Sequence, residues 1–401
     1  MRRNCLILFE VPENEIYNFY ESADTSPALR KLLYGGFIMT EKKNDKLFII
    51  IAGLVIGVIA AALAFAGNPK NMGFCIACFL RDTAGGLGLH KAPPVQYIRP
   101  EIVGIVIGAF VAAFAKKEFG SKGGSAPMTR FVLGFFAMVG CLMFLGCPFR
   151  MILRLAGGDL NAIFGLVGFV AGIFCGIFFL KNGYSLKRTY TLTKSEGYWM
   201  TVLEVVIFAL LLIRPAFIAF SEEGPGSMHA AIALSLGAGL IVGILAQRTR
   251  LCMVGGTRDL VLFKETRLML GFVAILVAAL ITNLVLGGFK LGMAEQPIAH
   301  TDGLWNALGM LLVGFACVLL GGCPLRQLVM SGEGNADSAV TVLGLMVGAA
   351  FCHNFGLASS AEGPTPAGKI AVIIGIVVVA GIGVLNTYMK AESADSVNEA
   401  A

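Results

Sequence analysis

The chain has 401 residues, of which 57% are apolar and only 14% are charged, and its mean hydropathy is +0.80. A soluble domain of this size carries far more charge on its surface, so a soluble enzyme or binding module is excluded. The net charge of +6 comes from basic residues in short connections between apolar runs. It therefore reads as a topology signal, with lipid and not nucleic acid as the surrounding partner.

The N-terminal segment differs from the rest of the chain. It is polar and acidic around Pro12-Glu13-Asn14-Glu15, and its one apolar run, Cys5 to Phe9, is shorter than the core of a signal peptide. Met39 is followed at once by Thr-Glu-Lys-Lys-Asn-Asp-Lys and the first apolar span. It is an alternative start that would make residues 1–38 dispensable, within a polar segment over 1–46 expected to lie outside the native fold. A disordered tail is expected over 391–401.

Between these ends, apolar runs near 47–66, 99–116, 129–147, 161–181, 199–220, 228–247, 268–289, 303–322, 338–357 and 368–388 are each long enough for a helix to cross a bilayer. Glycine pairs at helical spacing, Gly53/Gly57, Gly104/Gly108, Gly168/Gly172 and Gly344/Gly348, permit close helix packing in lipid. The expected fold is all-α, a polytopic membrane protein of about ten transmembrane helices.

Two sequence blocks recur. Cys75-x5-Arg81-Asp82 returns as Cys252-x5-Arg258-Asp259, shifted by 177 residues, and Cys141-x4-Gly146-Cys147-Pro148-x-Arg150 returns as Cys317-x4-Gly322-Cys323-Pro324-x-Arg326, shifted by 176. Two blocks at nearly one offset indicate duplication, giving repeats over 47–220 and 221–390. Five spans in each half invert the second copy relative to the first. With both termini cytoplasmic, the cytoplasmic connections carry most of the basic residues, including Lys42/Lys43/Lys46, Lys116/Lys117/Lys122, Lys181/Lys187/Arg188/Lys194 and Arg248/Arg250/Lys264/Arg267. The 68–98 segment, with Lys70, Arg81 and Lys91, fits that count only if part of it re-enters the membrane.

The Gly-Cys-Pro-x-Arg blocks predict broken helices. Proline cannot continue a helix without losing a backbone bond, yet it is favoured at the first position of a new one. Cys147 and Cys323 then stand at the mouths of short helices, where unpaired N–H groups and the positive end of the dipole favour an anion. Arg150 and Arg326 fall within the first turns. The Cys75 and Cys252 segments read as re-entrant hairpins that bring further thiols inward, with Arg81–Asp82 and Arg258–Asp259 either pairing internally or meeting substrate. A single intramembrane cysteine is ordinarily a small buried hydrophobe, and Cys175 and Cys352 fit that description. Cys141 and Cys317, six residues before the breaks, stand between the two readings.

Other features carry less. Cys75-x-x-Cys78 has the spacing of a redox dithiol, but the position matching Cys78 is Gly255. His353-Asn354 reads as a packed, hydrogen-bonded pair, Arg214-Pro215 as the end of a span, and Asp159/Asn161 with Asn335/Asp337 as caps of the fourth and ninth spans. No phosphate-cradling loop is present, only four histidines exist and none lies beside a duplicated cysteine, so neither cofactor nor metal is expected.

The duplicated Gly-Cys-Pro-x-Arg blocks, with the Cys-x5-Arg-Asp pair, resemble the YeeE/YedE family of membrane proteins over about residues 47–390. The resemblance is greatest to the YedE branch associated with selenium metabolism, while other members take up thiosulfate. It implies an inverted-repeat helical fold in the inner membrane with a narrow central path, along which cysteines relay the ion by S–H···S contacts. The matching positions are Cys147 and Cys323, with Cys252 as a third and Cys75 as a fourth. It also implies a small cytoplasmic sulphur-carrier protein as partner. Import of a small sulphur- or selenium-containing anion is the function expected. A membrane thiol oxidoreductase using Cys75 and Cys78, or a membrane anchor for a sulphur or selenium carrier, are the alternatives.

Overall fold

The computed structural model describes residues 27–388, with side chains from residue 44 onward. The expectations for residues 1–26 and for the 391–401 tail fall outside the described residues. The chain divides into a unit ending at Phe48, described only as the opening turns of α1, and a unit from Ile49 onward.

In chain order, α1 (Pro27–Phe65) leads to a short α2 (Ile76–Gly86), then α3 (Pro100–Ala115), α4 (Pro127–Phe144), a short α5 (Pro148–Ala156), α6 (Asn161–Lys181) and α7 (Lys194–Ile213). The same order returns as α8 (Ile232–Thr249), a short α9 (Met253–Phe263), α10 (Arg267–Val285), α11 (Gly303–Leu320), a short α12 (Pro324–Gly332), α13 (Ala336–Asn354) and α14 (Pro366–Tyr388). Two-residue strands, β1 (Lys122–Gly123) and β2 (Tyr190–Thr191), tie two connections together. The chain is thus an all-α polytopic membrane protein, with ten segments among the described residues long and apolar enough to cross a bilayer.

The span limits differ from the apolar runs at physically intelligible places. The third, sixth and eighth extend to Ala156, Phe263 and Gly332, because α5, α9 and α12 continue beyond the breaks. The fifth covers Lys194–Ile213, not 199–220. Arg214 closes α7 in the left-handed conformation, since Pro215 disfavours helix in the residue before it.

Burial orders the spans from centre to rim. The apolar windows of the third and eighth, which contain the Cys-Pro breaks, are 78% and 83% buried, whereas that of the last is 22% buried and turns its side chains to lipid. The breaks therefore lie at the centre of the bundle.

The glycine pairs explain how the helices pack around that centre. A Cβ at Gly53 or Gly57 would meet the carbonyls of Gly271 and Ile275 on α10, and one at Gly104 or Gly108 those of Leu236 and Leu240 on α8. Gly168 and Gly172 lie against Ala307 and Leu311 on α11, and Gly344 and Gly348 against Phe131 and Phe135 on α4. Each pair joins a helix of one half to a helix of the other, and exchanging the halves turns α1–α10 into α8–α3 and α6–α11 into α13–α4. Backbone-to-backbone approach, and so dispersion over long contact lines, holds the halves together where lipid offers no hydrophobic driving force between helices.

A Cβ on Gly168 would stand 1.9 Å from the Ala307 carbonyl oxygen, whereas one on Gly237 meets nothing within 4 Å. Gly168→Leu is therefore expected to destabilise the bundle by ~1–3 kcal/mol or more. Gly237→Ala should be neutral or slightly stabilising, as thermal unfolding of the detergent-solubilised protein would read.

Candidate functional site

The two breaks are built alike. α4 ends with Leu145 in the left-handed conformation and the Gly146 N–H donating to the Cys141 carbonyl at 2.7 Å; α11 ends with Gly321 left-handed and the Gly322 N–H donating to the Cys317 carbonyl at 3.0 Å. Cys147 and Cys323 follow in extended backbone, with ψ of 171° and 168°, as the residue before a proline prefers. Pro148 and Pro324 then open α5 and α12 at the first helical position, where a missing N–H costs nothing.

Cys75 and Cys252 occupy the same structural position on the other two short helices. Cys75 is the N-cap of α2, its Sγ accepting from the Cys78 N–H at 3.3 Å. Cys252 is the N-cap of α9 and accepts from the Gly255 N–H at 3.3 Å. The backbone N–H three residues on is what the cap requires. Cys78 in one half and Gly255 in the other serve it equally.

The four capping thiols associate in two pairs, all buried. The Sγ atoms of Cys75 and Cys147 are 4.0 Å apart. Cys323 adjoins Cys252, since the N–H of the next residue, Met253, donates to Cys323 Sγ at 3.4 Å. Cys141 and Cys317 are buried in the last turns of α4 and α11, and their carbonyls accept the Gly146 and Gly322 N–H groups. Cys352 is buried near Cys141, and Cys175 is exposed on α6.

The arginines of the motifs are engaged by protein. Arg150 donates to the carbonyls of Leu145, Asn71, Pro297 and Ile298, and to Cys78 Sγ at 3.7 Å. It clamps the break to two connections. Arg326 pairs with Glu333 at 2.9 Å, and Glu333 also binds Arg250, which with Arg248 holds Glu118. Burial opposes charge on Glu118. The hydrogen bonds from Gln247 and Arg248 and the charge of Arg250 outweigh it and hold that carboxyl below its ordinary value.

Arg81 pairs with Asp82 at 2.6 Å and Arg258 with Asp259 at 2.8 Å. In the first half the pair is fully buried and gains a third member, Arg99, which reaches Asp82 at 2.7 Å. Arg99 stands at the N-cap of α3, and no local spacing announces its partner. Arg154, buried and bound to Asp159 at 2.6 Å, was equally silent in the sequence because its counterpart in the second half is Met330. Asn335 caps α13 through the Ser338 N–H, while Asp337 instead accepts from the Gly124 and Ser125 N–H groups, and Asp159 accepts from Asn161 beside its pairing with Arg154. His353 is not bonded to Asn354. It stacks on His90 with centroids 4.7 Å apart, and Asn354 donates to the Leu89 carbonyl.

Two outcomes test this geometry. A mercuric ion, which ligates two thiolates in line, is expected to bridge Cys75 to Cys147 and Cys252 to Cys323; mass spectrometry after digestion reads the bridges, and Cys75 bridged to Cys78 instead would count against the pairing. Asp82→Asn leaves two buried guanidinium groups without their counter-charge and is expected to cost ~3–5 kcal/mol in thermal unfolding.

Comparison with known proteins bears on this arrangement. Residues 248–393 match the family described as Sulphur transport. That segment contains Cys252, Arg258, Cys317 and the Gly322-Cys323-Pro324-x-Arg326 block. A stretch of 121 residues is 29% identical to the thiosulfate transporter TsuA of Escherichia coli (strain K12). It covers 30% of this chain and about a third, 34%, of that protein. Over residues 248–393, then, the chain is similar to the sulphur-transport family.

Proposed function

We propose that the chain imports a small sulphur- or selenium-containing anion, thiosulfate or a selenium counterpart, along a path lined by Cys75, Cys147, Cys252 and Cys323. The observation that carries this reading is that four short helices each begin at a buried cysteine, with Cys75 in contact with Cys147 and Cys252 adjoining Cys323. The sulphur-transport family and the similarity to a thiosulfate transporter support the substrate class.

The chemistry follows from what such a site offers. Each helix N-terminus carries a partial charge of roughly +0.5, so four of them attract an anion where water is scarce. Thiols supply weak S–H donors that match a polarizable sulphur or selenium atom better than hard oxygen. The ion passes from thiol pair to thiol pair by hydrogen-bonded contacts, with no covalent bond made, so no reductant or leaving group is needed. Arg150 and Arg326 are engaged by protein groups and do not face the ion. The Cys75–Cys147 contact makes Cys147, as well as Cys78, a neighbour of Cys75, which favours a relay over a self-contained Cys75/Cys78 dithiol.

The repeated element order supports an inverted pair of five-span halves, with both termini on the cytoplasmic side of the inner membrane. On that side a small sulphur-carrier protein would receive the ion.

Uptake of labelled thiosulfate and selenite into inverted and right-side-out vesicles tests the reading. Cys147→Ala/Cys323→Ala is expected to lower uptake by at least about tenfold, equivalent to ~1.4 kcal/mol on the barrier. Unchanged uptake in that variant would sink the cysteine path, and flux confined to an unrelated solute would sink the function.

A further inference from the structure

We infer that the cavity beside the Cys75/Cys147 pair captures the anion before it meets the thiols, with Arg81 and His353 as its ligands. This rests on the transport reading and adds a site to it. The cavity measures about 400 Å³ and is lined by Arg81 of α2, Leu145 of the first break, Cys352 and His353 of α13, and Ser359 and Ser360 of the connection to α14. Its walls are otherwise mostly apolar and include no acidic residue.

Its charge is set by the triad behind the wall. Arg81 and Arg99 share the single carboxylate of Asp82, so one positive charge is left uncompensated within the triad. In a buried setting that charge acts on a ligand more strongly than it would in water. The structure gives the cation a counter-charge only in part, and an anion in the cavity completes it.

His353 supplies the second ligand. It stacks on His90, whose Nδ1 accepts from the Ala92 N–H at 3.3 Å and whose Nε2 lies 3.0 Å from the Arg81 carbonyl oxygen, so His90 is committed with its proton on Nε2. Burial and the Arg81 charge keep His90 less basic than an ordinary histidine, against the pull of that carbonyl. His353 Nε2, by contrast, has no hydrogen-bond partner among the described residues. The charged and titratable groups that act on His353 are Arg81 and His90. An anion between Arg81 and His353 offsets the repulsion between a cationic His353 and Arg81, so His353 takes up a proton as the anion binds. Binding then strengthens as pH falls, because the complex holds one proton more than the free site.

The position connects capture to the path. Leu145 lines the cavity, its carbonyl holds Arg150 and lies 4.0 Å from Cys78 Sγ, and Cys147 follows two residues later. The corresponding residue of the other break is Gly321, at the same left-handed conformation. A mixed cationic and apolar pocket suits an ion with charged oxygens at one end and a large polarizable atom at the other. Sulfate, with oxygen on every side, suits it less.

The test uses the purified full-length protein in detergent, titrated with thiosulfate and with sulfate by calorimetry. It is run in the wild type and in Cys147→Ala/Cys323→Ala, which removes the relay and leaves the cavity. Thiosulfate binding is expected to survive that double substitution and to exceed sulfate binding. His353→Leu should weaken it by about ten- to a hundredfold, the value of a charge-assisted hydrogen bond. Ala361→Trp, which fills the cavity from an exposed connection, should weaken it similarly. His353→Gln should retain part of the binding and lose its increase toward low pH. Binding left unchanged by both His353→Leu and Ala361→Trp, in protein that transports thiosulfate, overturns the capture site alone. Absence of sulphur- and selenium-anion uptake by the wild type overturns the transport reading.

Discussion

The rest of the structure depends on one constraint, the rule that a backbone polar group in lipid needs a partner inside the protein. Breaking a helix at membrane depth exposes several N–H and C=O groups at once, so a break persists only where neighbouring elements surround it. Both Cys-Pro breaks meet that condition by lying in the two most buried spans. Cys141 and Cys317 carbonyls accept the first freed N–H groups, and Arg150 takes up carbonyls from the first break and from two other connections. The positive ends of the short helices remain at these buried breaks.

The cysteines take their positions from the same logic. An N-cap needs a side chain that accepts a hydrogen bond from the backbone, a task usually given to serine or aspartate. A thiol does it weakly, and at Cys75 and Cys252 the acceptor distances of 3.3 Å are those of a sulphur contact. A cap chosen for helix stability alone would carry oxygen. At Cys147 and Cys323 the thiol stands at the N-cap position and makes no cap bond at all, so sulphur at these four positions contributes little to helix stability.

Charge is distributed to hold the frame. Each motif arginine has protein partners, and the buried triad of Arg81, Asp82 and Arg99 and the pair of Arg154 and Asp159 anchor the segments around the Cys75/Cys147 pair. At the other pair, the network from Arg326 through Glu333 and Arg250 to Glu118 ties α12 to the connections after α3 and α8. The two halves therefore share a design and differ in detail: the first is stiffened by fully buried ions, the second by partly exposed ones.

Much of this was legible in the chain itself. Hydropathy gave ten spans because a bilayer imposes a minimum apolar length, the repeated blocks announced the recurring order of long and short helices, and Pro148 and Pro324 gave the breaks because proline acts through its own covalent geometry. The glycine pairs announced close packing, yet not that every pair would join opposite halves, since that depends on which helices the fold brings side by side. Nor did spacing show that Cys75 and Cys252 stand at helix N-caps as Cys147 and Cys323 do, or that Cys75 pairs with Cys147 across 72 residues. Arg99 joining Asp82, Arg150 turning to carbonyls, and His353 resting on His90 are likewise contacts between distant segments. Local covalent and hydropathic rules fixed the elements and their ends. Only the packed structure decided which thiols and charges meet, because those distances are set by helix-to-helix approach and not by separation along the chain.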